Sequence, residues 1–107
     1  MNEIKERIKQ LFDRIPRRHT LDNVKEMYSI LDSYEDLLKD IEGDARFEKQ
    51  VVPFFEVLDP IRATIKKSND NKASKKAKDM LFDEGSSALK DTIEELLQLV
   101  GPGQPSK

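Results

Sequence analysis

Apolar residues recur every three or four positions in four separate stretches of the chain, and this pattern limits the fold more than any other feature. In the first stretch Ile4, Ile8, Leu11 and Ile15 follow at intervals of four, three and four. That spacing stacks them on one face of an α-helix, which Phe12 widens. Asn2 is placed to cap this helix, and Pro16, which has no N–H to donate, to end it. Thr20 offers a hydroxyl to cap a second helix. There Val24, Met27, Tyr28, Leu31, Tyr34, Leu38 and Ile41 keep the rhythm, with Asp32, Glu35, Asp36 and Lys39 between them. Gly43 is expected at the left-handed position that closes this helix, and Asp44 as the cap of a third.

Phe47, Val51, Phe54, Leu58, Ile61 and Ile65 make the third stripe. Pro53 and Pro60 both fall within it, and each costs an interior helix about 3 kcal/mol. The third helix is therefore expected to be kinked or split at Pro53 and Pro60, with Asp59-Pro60 as a cap and first-turn pair that restarts it. The run 51–58 also has the β-branched and aromatic character of a strand. Proline is confined to strand edges, however, and no second strand is visible to pair with this one, so the helical reading is preferred. After a polar connection at 68–74, Phe82, Leu89, Ile93, Leu96 and Val100 form the last stripe. Gly85-Ser86-Ser87 lies in its middle without breaking the phase, which favours one long helix with a small-residue contact.

Four amphipathic helices joined by short loops point to an all-α fold, a small antiparallel helical bundle. Residues 1–100 are expected to form one domain and 101–107, which contain Gly101, Pro102, Gly103 and Pro105, a disordered tail. Apolar residues make up 36% of the chain and charged residues 37%, so the core must be narrow and the surface densely charged.

The same residues narrow the chemistry. With no cysteine in the chain there is no thiolate nucleophile and no disulfide framework, which suits a reducing, cytoplasmic setting. The N-terminal residues lack the apolar run of a signal peptide, and no segment approaches the ~20 apolar residues of a bilayer span. His19 is the only histidine. A zinc or di-iron site would want several histidines, and no Gly-x-Ser-x-Gly elbow accompanies it. Phosphate-cradling glycine loops are also missing. Asp32, Asp36 and Asp40 form a ridge along the second helix able in principle to bind a divalent cation, but a solvated acidic face explains it more simply. The expectation is a non-catalytic chain with no metal, cofactor or small-molecule substrate.

Two features suggest partners. Val52, Phe55 and Val57 add apolar surface outside the main stripe of the third helix. This surplus is either packed by neighbours on two sides or presented to another protein or to a second copy of the chain. The leading expectation is accordingly a protein–protein interaction module, an adaptor, regulator or inhibitor, with self-association as one form. The other feature is basic. Between Arg62 and Lys78 seven basic residues face the single acid Asp70. Lys66, Lys67, Lys72, Lys75, Lys76 and Lys78, joined by Arg17 and Arg18, would make a phosphate-binding surface. This gives the alternative expectation, a nucleic-acid-binding accessory protein. No aromatic residues alternate with these lysines along the sequence. A helix-turn-helix is set aside because the second helix is too long and acidic and the third too apolar to lie in a groove.

Overall fold

The computed structural model describes residues 2–16 and 20–100, the side chains of Asn2 and Leu21 excepted. The tail expected at 101–107 and the loop residues Arg17, Arg18 and His19 lie outside the described residues. The fold is all-α, with helices α1 (Asn2–Arg14), α2 (Leu21–Glu42), α3 (Val52–Glu56), α4 (Leu58–Ser68) and α5 (Lys75–Val100). α3 and α4 follow one another across Val57 with a bend of 21°, so the chain makes four rods. α1 packs on α2 and α5, and α4 packs on the same two helices. α1 and α4 thus occupy opposite corners of the bundle.

Ion pairs record the antiparallel course. Arg7 pairs with Asp40 at 2.8 Å while Arg14, further along α1, pairs with Glu26 at 3.2 Å, earlier in α2. The core is built from the four expected stripes. It includes Ile8 and Leu11 of α1, Met27 and Leu31 of α2, Leu58 and Ile65 of α4, and Phe82 and Leu89 of α5. Ile30 and Leu37 are buried as well, because α2 has neighbours on two sides and a single stripe does not cover both. Tyr28 falls at the margin of this widened face and is half-buried.

Helix termini follow capping chemistry where a side chain is free to cap. The Thr20 hydroxyl accepts from the backbone N–H of Asn23 at 3.0 Å, and the Ser74 hydroxyl from that of Ala77 at 3.1 Å. Ile15 breaks from α1 beside Pro16, its N–H reaching only to the Phe12 carbonyl. α1 already includes Asn2, the residue expected to cap it.

Three expectations are corrected. Gly43 is right-handed, with φ −66° and ψ −14°; α2 closes through its N–H and needs no left-handed residue. Asp44 does accept from the Arg46 N–H at 2.9 Å, but it opens a run of turns rather than a helix. Pro53 explains this. Its ring would clash with the carbonyl four residues back, at Lys49, and it supplies no N–H to bond there. Helix therefore begins only at Val52, with Pro53 in the first turn, where a missing donor costs nothing. Pro60 repeats the logic: four residues before it stands Glu56, the last residue of α3. The split expected in this region thus falls at Val57, between the prolines, and Val57, not Asp59, occupies the capping position of α4.

α5 is one uninterrupted helix of 26 residues. At its centre the backbone of Gly85 lies against α4 so closely that a Cβ there would stand 2.5 Å from Ile65 Cδ1 and 3.1 Å from its Cγ1. Glycine therefore sets the distance between α4 and α5, which accounts for its place in the middle of a helix that it otherwise weakens.

Candidate functional site

Two surfaces contain the residues singled out in the sequence. The first is α3. Four of its five residues, Val52, Pro53, Phe54 and Phe55, are apolar, yet none is buried. Val52 is 45% exposed and Val57, at the joint, 37%. Phe54 and Phe55 pack their inner edges on the core and leave the rest outside. The position of α3 follows from the prolines: a five-residue helix held between two proline-defined breaks lies along the bundle rather than inside it. Sequence reasoning missed a further exposed apolar side chain, Met80, at 64%. With Ala77 and Leu81 it lines a shallow depression on the first half of α5. It stands two positions before Phe82, a spacing that puts the two on different sides of α5.

The second surface is the end of the bundle formed by the last turn of α4, the connection 69–74 and the start of α5. Lys66, Lys67, Lys72, Lys75 and Lys76 are exposed there and Lys78 is half-exposed. None of the ion pairs among the described residues involves these lysines. Arg17 and Arg18, grouped with them in the sequence reading, lie outside the described residues. Arg62, which opens the basic run, and Arg14, near Arg17 and Arg18 in sequence, are otherwise engaged. Arg62 bridges Asp32 at 3.1 Å and Glu35 at 2.9 Å, clamping α4 to α2. Arg14 donates to Glu26 and to the Ser29 hydroxyl. Arg7, Arg14 and Arg62 thus link helices, while the lysines of this end enter none of those ion pairs.

The fold adds a residue that the sequence reading had not joined to the lysines. Tyr28 of α2 lies beside Lys66 and Lys67, and with Asn69, Asp70 and Asn71 they line a groove of about 490 Å³. The Asp70 carboxylate is occupied locally, accepting from the Lys72 N–H at 2.9 Å.

Elsewhere the carboxylates serve the fold. Asp32 and Asp40 of the acidic ridge are taken by Arg62 and Arg7, and among the described residues no three His, Cys, Asp or Glu side chains are placed to hold a metal ion. Hydrogen bonds from Arg46, first from its guanidinium and then from its N–H, hold the Asp44 carboxyl down at about 2. Burial pushes the Tyr34 phenol well above its ordinary range, against the smaller opposing effect of its hydrogen bond to Thr92. Among the described residues no helix is long and apolar enough to cross a membrane.

The fold thus defines a class, the small all-α bundle, and nothing narrower. No family model matches the chain, and neither curated proteins nor solved structures provide a match.

Proposed function

We propose that the protein is a non-catalytic helical interaction module whose contact surface is the α3 face, centred on Val52, Phe55 and Val57. The observation that supports this reading is that a helix of almost wholly apolar composition contains no buried residue. Apolar side chains held outside a core lose the free energy of burial, about 1.5–3 kcal/mol for each large one, and a partner surface restores it. Pro53 and Pro60 each fix a backbone angle beside this face, which lowers the ordering cost of docking. The partner is another protein or a second copy of this chain, and a cytoplasmic adaptor, regulator or inhibitor is the role such a face suits.

Light scattering over a range of concentrations tests the self-associating form against the chain mass of 12.4 kDa. Association that Val52→Asp and Val57→Asp abolish, with helicity unchanged, supports it. A monomer at all concentrations removes self-association. The hetero-partner form then requires a binding protein from the host whose capture is lost in the same two variants. Phe55→Asp serves as a stronger probe if its melting temperature stays near that of the parent.

A further inference from the structure

We propose that the groove between α2 and the α4–α5 connection binds single-stranded nucleic acid, with Tyr28 as a stacking platform and Lys66 and Lys67 as phosphate contacts. This goes beyond the α3 reading and does not rest on it.

Three observations support the assignment. The first is composition in space. Single-stranded nucleic acid is held by cations that track its backbone and aromatic faces on which bases stack. The groove brings a half-buried tyrosine to two lysines 38 and 39 positions further along the chain, with two asparagine amides beside them. The second is availability. None of the ion pairs among the described residues involves these lysines, and none joins them to Asp70, the one acid in the lining.

The third concerns what the fold itself would choose. Cations in the last turn of a helix complement its dipole, so Lys66 and Lys67 have a structural reason to be there. Lys75 and Lys76 have the opposite placement. They open α5, whose first turn contains no acid, and positive charge at a helix start opposes the dipole. Stability does not ask for these lysines. A polyanion passing the end of the bundle, neutralised by Lys72, Lys75 and Lys76 as it leaves the groove, does.

Duplexes fit less well. Their bases are already stacked on one another and offer no free face to Tyr28, so a single strand is the ligand that uses both the ring and the charges.

The test is fluorescence anisotropy with end-labelled oligo-dT and oligo-U, against a duplex and a mononucleotide as competitors. Binding of the single strands at low salt is expected. It should weaken by about 20-fold between roughly 50 and 200 mM salt if three phosphates are neutralised. Tyr28→Ala should weaken it about tenfold, while Tyr28→Phe, which keeps the ring, should not. Lys66→Ala with Lys67→Ala should weaken it by a similar factor, and Lys75→Ala with Lys76→Ala should flatten the salt dependence. Lys49→Ala, an exposed lysine in the turns before α3, should change nothing. Because the lysines are exposed, their variants remain informative even if Tyr28→Ala fails to fold. The assignment is overturned by an absence of binding at low salt, by duplex or mononucleotide competing as well as the single strand, or by a folded Tyr28→Ala that binds like the parent.

Discussion

The Tyr34 hydroxyl lies 3.2 Å from Thr92 Oγ1 and 3.3 Å from the Thr92 carbonyl oxygen, joining α2 to α5 through the centre of the bundle. The tyrosine is fully buried, so this polar link between the two helices lies inside the core. It ties their register in a core made mostly of aliphatic side chains.

Removing that link gives a first prediction. Tyr34→Phe keeps the ring and leaves the Thr92 hydroxyl without its partner, so a loss of about 1 kcal/mol is expected in urea unfolding. A pH dependence follows from the same residue. Burial raises the folded-state pKa of Tyr34 above its unfolded value near 10. Its contribution is therefore complete below pH ~10 and is lost progressively as pH rises beyond it. Phenolate absorbance from Tyr34 should appear together with loss of helical circular dichroism, not before it.

The two internal glycines should respond in opposite ways. Gly85→Ala drives a methyl against Cδ1 and Cγ1 of the fully buried Ile65, which must shift to admit it. Overpacking of about 1–3 kcal/mol should outweigh the gain in helix propensity of about 1 kcal/mol. Ile65→Val removes the Cδ1 atom that is struck, so the double variant should recover part of the loss. Gly43 already has right-handed geometry, and its added Cβ would meet the Asp40 carbonyl at 3.3 Å and the Lys39 carbonyl at 3.9 Å. Gly43→Ala should be neutral or stabilise by about 0.5 kcal/mol. Denaturation midpoints of the three variants decide the matter.

Capping by Thr20 and Ser74 is separable from packing because both residues are exposed. Replacing either with alanine should cost about 1 kcal/mol, and replacing either with aspartate should restore most of it. A Ser74→Asp variant that melts lower than Ser74→Ala would contradict the assigned cap.

Asp44 provides the acid-side counterpart. Its carboxyl is held near 2, below the ordinary aspartate value of 3.8, chiefly by the Arg46 guanidinium. A depressed folded-state pKa contributes stability above the unfolded value, and that contribution disappears as pH falls from about 3.8 through about 2. Carboxyl carbon shifts followed by NMR should place the midpoint near 2, and Arg46→Ala should return it towards the ordinary aspartate range.

Much of the architecture can be read from the chain because it depends on local rules. The stripes of α1, α2 and α5 need only periodicity, Thr20 only its place before an apolar run, and Gly85 only an unbroken phase across it. The misjudged points depend on what lies elsewhere in space. Ile30 and Leu37 are core because α2 is packed on two sides. Arg62 and Arg14 are absorbed by carboxylates 12 to 30 positions away, so a basic run in sequence is not one on the surface. Tyr28 was visible only as a member of an apolar stripe. Its neighbours Lys66 and Lys67 come from another helix, and no local pattern joins them. The prolines were local signals too, but the break falls at Val57, three residues before Pro60 and just past Glu56, the residue whose carbonyl the Pro60 ring would meet.

The division between arginine and lysine has a consequence for how the protein can be modified. All four described arginines, Arg7, Arg14, Arg46 and Arg62, are held by carboxylates, and the guanidinium does not lose its charge at any physiological pH. The six lysines at the α4–α5 end are the kind of cation that acylation neutralises. Acetylating them would take up to six positive charges from one end of the molecule without breaking an inter-helix ion pair. The charge of this end can thus be reset by an amine-directed enzyme while the ion pairs that join the helices stay as they were.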